Sequence, residues 1–194
     1  MKTSSSARQV AVTSSPVLST IIADMLRESN NDYAEALLWS SGLAAGGSRT
    51  WTAMTWRVTT EMRRYGIPVS GMRLYDGSGL SRSDRITASS LEALVGKLYM
   101  DPAMRPVFYT NSAMPVAGRT GTLEDRFSTS PSSCAVGRVR AKTGSLRDAT
   151  FLTGIAHGTD GRVRAFAFIS HDRANTAAVR QKLDELAATA VTCM

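Results

Sequence analysis

A chain of 194 residues can bury a hydrophobic core, and 43% apolar with 20% charged residues is the composition of one folded globular domain. The formal net charge is +7, but the basic residues are scattered and form no recognised basic face, which argues against a nucleic-acid binder. No run approaches the roughly 18 apolar residues of a membrane span. The first 15 residues also lack the apolar region of a signal peptide.

Helical spacing of apolar residues and terminal signals predict five helices. They are expected at 15–29, 32–42, 49–66, 87–102 and 175–191. Ser15 and Pro16 suit the start of the first, and Gly42 suits the end of the second. "AAGGS" (44–48) predicts a flexible joint, and "LEDRF" (123–127) a short helix.

Four β-prone segments complete the pattern. They are expected at 8–14, 137–142, 150–158 and 162–171, with "GTDG" (158–161) as a hairpin turn. Helices followed by an antiparallel meander and a last helix predict an α+β fold with helices packed on the faces of a sheet. Residues 1–194 are expected to form a single unit, with 1–14 as a leading segment whose strand enters the domain.

Most common catalytic motifs are absent. A Ser-His-Asp triad would have to use His157 or His171, and both are predicted at strand ends. "DGSG" fails the Gly-x-Ser-x-Gly pattern because Asp76 replaces the first glycine. Cys134 and Cys193 have no metal-ligand spacing and can be two buried thiols or one disulfide.

Two short motifs can carry chemistry: Ser29-Asn30-Asn31 at a helix break and Lys142-Thr143-Gly144 at a strand end. A lysine and a threonine hydroxyl facing a cleft can bind a carboxylate, and charge-assisted hydrogen bonds contribute about 1.5–3 kcal/mol each. A serine at a helix junction can relay a proton, and an asparagine amide can hold a carbonyl. The simpler alternative is that Ser29 or Asn31 caps the following helix, and such a cap is compatible with a role in chemistry.

These motifs and their surroundings resemble the penicillin-binding-protein-4 type of D-alanyl-D-alanine carboxypeptidase/endopeptidase, serine peptidase family S13. The similar stretches are "SPVLSTIIADMLRESNNDYAEALL", "YDGSGLSRSDRITASSLEAL", "MPVAGRTGTLEDRF" and "GRVRAKTGSLRDATFLTGIA". Together they cover nearly everything from Ser15 to about His171. The resemblance implies part of a transpeptidase/β-lactamase-like domain, with the sheet between helix layers.

The resemblance also implies roles for single residues. Ser29 would relay a proton, Asn31 would orient the substrate, and Lys142 with Thr143 would anchor its carboxylate. Gly144 would permit close approach of the substrate, and the backbone N–H of Ser145 would be one donor of an oxyanion hole. The implied ligands are peptidoglycan stem peptides ending in D-Ala-D-Ala and β-lactams, and the resemblance implies no metal or organic cofactor.

The sequence departs from the family in its nucleophile. Lysines occur only at 2, 97, 142 and 182, so no Ser-x-x-Lys motif exists. We expect a C-terminal part of the catalytic domain that works with an upstream half; a split protein and a degenerate relative are the other readings. The alternative function is a non-catalytic module that binds penicillin or stem peptides. Family membership implies an extracytoplasmic location, which favours a Cys134–Cys193 disulfide.

Overall fold

The computed structural model describes residues 6–8, 10–44, 50–110 and 113–194. Its helices are α1 (Leu18–Glu28), α2 (Asn31–Ala44), α3 (Trp51–Arg64), α4 (Ala88–Met100) and α5 (Ala177–Val191). Its strands are β1 (Val139–Ser145), β2 (Ala149–His157) and β3 (Val163–His171). Short helical turns lie at Pro106–Thr110, Gly121–Leu123 and Ser132–Ala135.

The three strands form one antiparallel sheet in the order β1-β2-β3. The predicted turn at 158–161 joins β2 to β3, with Gly161 at a φ of 77° that glycine adopts without strain. Asp160 closes this turn by accepting hydrogen bonds from the backbone of Arg162 and the guanidinium of Arg164. The meander and its turn are as predicted.

Alternation along β2 places helices on both faces of the sheet. Leu152 and Ala156 point into a core that includes Leu183 and Ala187 of α5. Ile155 points the other way and packs in a second core with Val95 of α4. The α+β arrangement, with an antiparallel sheet between helices, is therefore confirmed.

The predicted strand at 8–14 is wrong for residue 8 and residues 10–14, which form no strand; Gln9 lies outside the described residues. Val10 and Val12 are 94% and 74% exposed. Alternating valines form a strand only where a neighbouring strand takes their backbone hydrogen bonds and a core takes their side chains. The described residues offer this segment neither.

The start of the first helix and the end of the second also differ from the prediction. The first helix begins at Leu18 after an extended Val17, so Ser15 and Pro16 precede it. The second continues through Gly42 to Ala44. Gly42 instead makes room for Met54 of α3, since a Cβ at Gly42 would lie 2.6 Å from Met54 Cγ. Residues 45–48 of the predicted joint lie outside the described residues.

The short helix predicted at 123–127 is replaced by a 3₁₀ turn at Gly121–Leu123. Phe127 adopts a left-handed φ of 59°, which ends any helix there, and its N–H faces the carboxylate of Asp184 at 3.4 Å. Cys134 and Cys193 form a disulfide that ties the chain before β1 to the end of α5.

Across the described ranges, no helix has the length and apolarity that crossing a membrane requires. The same part of the chain contains no group of three or more His, Cys, Asp or Glu side chains placed to hold a metal ion.

Candidate active site

The Ser-x-Asn motif forms the junction between α1 and α2. Ser29 ends α1 in a left-handed conformation, with a φ of 55°. Asn30 Oδ1 accepts a hydrogen bond from the N–H of Tyr33 at 3.0 Å, so Asn30 is the cap of α2. The capping role considered for Ser29 or Asn31 therefore belongs to the residue between them. The side chains of Ser29 and Asn31 are left to line a cavity.

Lys142 joins the two motifs. Its Nζ donates to Ser29 Oγ at 2.7 Å and to the backbone oxygen of Thr143 at 2.7 Å, although Ser29 lies 113 positions away in the sequence. Burial lowers the pKa of Lys142 from 10.5 to about 8, because a low-dielectric surrounding disfavours the ammonium form. With this pKa, the amine is still mostly protonated at pH 7.

The outer edge of β1 is covered at one end and open at the other. The N–H of Ala117 bonds Val139 O, and the N–H of Ala141 bonds Pro115 O, both at 3.0 Å. Because hydrogen-bonding directions alternate along an antiparallel strand, the N–H groups of Thr143 and Ser145 point to the same edge, beyond this covered stretch. An extended peptide backbone could pair with the strand there.

The cross-strand partner of Gly144 leaves no room for a side chain at this position. A Cβ at this position would lie 1.8 Å from Cε1 of Phe151, so the phenyl ring occupies the space that any other side chain would need. The ring of Phe151 also lines the cavity. The structure thus gives Gly144 a packing reason that the sequence did not suggest.

The cavity has a volume of about 550 Å³. All six residues singled out from the sequence line it, namely Ser29, Asn31, Lys142, Thr143, Gly144 and Ser145. Its other lining residues are Ser78, Gly79, Leu80, Thr122, Arg126, Leu146, Phe151 and Arg180. The two histidines, His157 and His171, do not line it, which removes any basis for a histidine-dependent triad here.

One wall is the "DGSGL" segment, which the sequence showed as a turn cluster. The carboxylate of Glu35, on α2, accepts hydrogen bonds from the N–H groups of Gly77 and Ser78, each at 3.0 Å. A Cβ at Gly77 would lie 2.8 Å from the backbone oxygen of Ala34, so glycine allows the segment to lie against α2. Asp76 closes the turn by accepting from the N–H of Gly79 at 2.6 Å.

The opposite side contains Thr122, Arg126 and Arg180, none of which the sequence analysis recognised. Thr143 Oγ1 donates to Thr122 Oγ1 at 2.8 Å. No local pattern indicates these residues, because they reach the cavity from a 3₁₀ turn, the loop after it and α5. Only similarity of the stretch "MPVAGRTGTLEDRF" to a family pointed to this region.

A strand-edge lysine is hydrogen-bonded to a serine at a helix junction, in a cavity that an asparagine also lines. This arrangement is the one expected for the two motifs of a penicillin-recognising serine hydrolase. Comparisons with known proteins agree. The family model described as "D-Ala-D-Ala carboxypeptidase 3 (S13) family" matches residues 1–190, and the chain belongs to this family.

Carboxypeptidase DacB of Mycolicibacterium smegmatis is 36% identical over 185 residues, which are 94% of this chain but only 39% of that protein. The chain therefore spans about two fifths of the length of this relative. Penicillin binding protein 4 of Haemophilus influenzae, solved with a β-lactam, has a TM-score of 0.74 at 24% identity, over 88% of this chain and 40% of that one.

The TLA-1 extended-spectrum β-lactamase, in its S70G form, has a TM-score of 0.66 at 18% identity, over 90% of this chain and 63% of that one. Together with the preceding match, this confirms the fold as part of a transpeptidase/β-lactamase-like domain.

Proposed function

We propose that this chain is the C-terminal part of a serine-type D-alanyl-D-alanine carboxypeptidase/endopeptidase of peptidoglycan, and that residues 1–194 belong to its transpeptidase-like domain. The observation that carries the proposal is the Lys142–Ser29 hydrogen bond inside a cavity beside an open strand edge. Membership of the S13 family and the partial coverage of its relative support it. The nucleophile would come from polypeptide outside this sequence, since no Ser-x-x-Lys occurs within it.

In the proposed site, Lys142 supplies the positive charge for the terminal carboxylate of the substrate. Thr143 adds a hydroxyl hydrogen bond when its proton turns from Thr122 Oγ1 to the carboxylate, and Gly144, with the ring of Phe151 over it, gives the substrate backbone close approach along the strand edge. The outward N–H of Ser145 is one donor of the oxyanion hole, where removing a single donor in other enzymes costs about 2.7–4 kcal/mol. An N–H on a rigid strand suits this role because it is already oriented before the reaction.

Ser29 acts on the leaving group, whose amine belongs to the same terminal residue as the anchored carboxylate, and Asn31 acts on a substrate carbonyl. The hydroxyl of Ser29 accepts from the Lys142 ammonium, which leaves its own proton free to be donated to the leaving amine. Asn31, two residues on in α2, offers an amide that can hold the substrate carbonyl. The ligands of the complete site would be stem peptides ending in D-Ala-D-Ala and β-lactams.

The proposal extends to location and to the upstream half. The enzyme would work outside the cytoplasmic membrane, where peptidoglycan lies and where a disulfide such as Cys134–Cys193 persists. The alternative is a non-catalytic module that binds the same ligands, which the missing Ser-x-x-Lys favours. The two functions differ in whether a nucleophile joins this site.

Labelling with a fluorescent penicillin separates them. The chain is incubated alone, and together with the polypeptide encoded directly upstream of Met1, then denatured and run on a gel. We expect no labelled band from the chain alone, because positioning groups cannot form a covalent intermediate, and a band on the upstream polypeptide when both are present. A specific band at the mass of this chain, or no band in the mixture, would contradict the proposed enzyme.

A further inference from the structure

Three cationic side chains line the cavity. Besides Lys142 it is lined by Arg126 and Arg180, and none of the described residues that line it is an aspartate or a glutamate. Lys142 alone is a limited anchor for an anion. Two of its three ammonium protons are already donated to Ser29 and to Thr143 O, so a single donor remains for a ligand.

Arg126 is fixed beside this site by a buried ion pair. Its Nε and Nη2 donate to the carboxylate of Asp184 at 3.3 and 2.6 Å, and Nη2 also donates to the backbone oxygen of Arg180 at 3.1 Å. The side chains of Arg126 and Asp184 are 13% and 7% exposed. Among the described residues, none accepts a hydrogen bond from the remaining terminal nitrogen, Nη1.

The 3₁₀ turn at Gly121–Leu123 sets the position of Arg126 relative to the Lys-Thr-Gly strand. Thr122, four residues earlier, is bonded to the hydroxyl of Thr143 at 2.8 Å, so the 3₁₀ turn holds the segment against β1. A guanidinium held on two nitrogens loses little further side-chain freedom when the third binds a ligand. The backing carboxylate of Asp184 orients the group, while Arg180 adds positive potential at the same wall.

We propose that Arg126 is a further substrate-binding residue, whose Nη1 binds the free carboxylate of a chain-terminal amino acid together with Thr143 and Lys142. This inference rests on the proposed function. It makes Arg126 a determinant of specificity: the site would distinguish a free C-terminal carboxylate from a neutral carboxamide. A charge-assisted hydrogen bond predicts about a tenfold contribution to that preference.

The test compares two peptides and two matched double variants. Binding of an N-acyl peptide ending in D-Ala-D-Ala, and of its C-terminal amide, is measured by NMR titration of the chain. Arg126→Gln/Asp184→Asn removes the guanidinium without leaving Asp184 buried and unpaired, and it keeps the net charge. Arg164→Gln/Asp160→Asn removes another Arg–Asp pair, in the β2–β3 turn and away from the cavity, as the control.

We expect the unmodified chain and the control to bind the acid at least tenfold more tightly than the amide. The Arg126 double variant should lose about tenfold of that preference while its affinity for the amide stays the same. A preference that is unchanged, or equal weakening of both peptides, would overturn the inference and leave the proposed function standing. Failure of the unmodified chain to bind either peptide, both alone and mixed with the upstream polypeptide, would instead overturn the proposed function.

Should the double variant fail to fold in a thermal melt, Arg126→Lys serves in its place. A lysine can keep the pairing with Asp184 but has no second terminal nitrogen for the ligand, so the same loss of preference is expected. If Arg126→Lys retains the full preference for the acid, the role assigned to Nη1 is wrong.

Discussion

Replacing Lys142 by methionine should change the pH dependence of stability in a defined way. The pKa of Lys142 is about 8 in the folded chain, against 10.5 for an ordinary lysine, and the cause is burial. Between these two values the unfolded chain binds a proton that the folded chain does not. The unfolding free energy must therefore increase as the pH rises from 8 towards 10.5.

The magnitude follows from the size of this shift. A difference of 2.5 pKa units corresponds to about 3 kcal/mol, which is the stability that the protonated lysine costs at pH 7. Between pH 7 and pH 10, linkage predicts that most of it, roughly 2–3 kcal/mol, is recovered. Methionine has a similar length and no charge, so a Lys142→Met chain has no such recovery.

The assay is urea unfolding at a series of pH values for the unmodified chain, Lys142→Met and the control Lys97→Met, which changes an exposed lysine of α4. Only differences between variants are interpreted, since other groups titrate equally in all of them. We expect the unmodified chain and the control to gain roughly 2–3 kcal/mol relative to Lys142→Met between pH 7 and pH 10. Parallel curves for all three proteins would refute a desolvated ammonium at this site.

Three further changes test other parts of the structure. Gly144→Ala should lower the unfolding free energy by about 1–3 kcal/mol, because its Cβ would overlap the ring of Phe151. The double change Gly144→Ala/Phe151→Ala should then cost less stability than the sum of the two single changes, and additive losses would contradict this packing. Glu35→Gln keeps the size of the side chain but removes one hydrogen-bond acceptor. Hydrogen exchange at the N–H of Gly77 or Ser78 should therefore become faster while the amides of α5 stay protected. Unchanged exchange would show that Glu35 does not hold the cavity wall. The outward N–H groups of β3 should exchange quickly in this chain and become protected when the upstream polypeptide is added, and protection in the chain alone would mean that the edge is already paired. By the alternation of the β2–β3 pairing, these are the N–H groups of Ala165, Ala167 and Ile169.

The sheet and most helices could be predicted because their signals are local. Alternation together with Gly158–Gly161 specified the hairpin, and Thr87 with Asp101-Pro102 bounded α4 as expected. The segment at 8–14 carries the same alternation but forms no strand, since alternation cannot report whether a partner strand is present. Gly42 lies inside α2 and packs against Met54, a contact with a different helix that local sequence does not report.

Some residues of the candidate site could be predicted from the sequence and others could not. The two motifs, Ser29-Asn30-Asn31 and Lys142-Thr143-Gly144, could be found because each is contiguous in the sequence. Arg126 and Glu35 could not, because one is positioned by a carboxylate 58 positions away and the other acts on backbone groups more than 40 positions away. Such contacts arise only when the chain folds, and no spacing rule covers them.

The most direct test of the central claim is release of D-alanine from a peptidoglycan stem peptide ending in D-Ala-D-Ala, followed by mass spectrometry. The chain and the polypeptide encoded upstream of it are assayed separately and mixed, with Lys142→Ala in place of the unmodified chain as the control. The account predicts release only by the mixture, reduced at least a hundredfold in the Lys142→Ala mixture, as expected for a lost partner of a buried charge pair. Release by the mixture that is unaffected by Lys142→Ala, or no release from any combination, would contradict it.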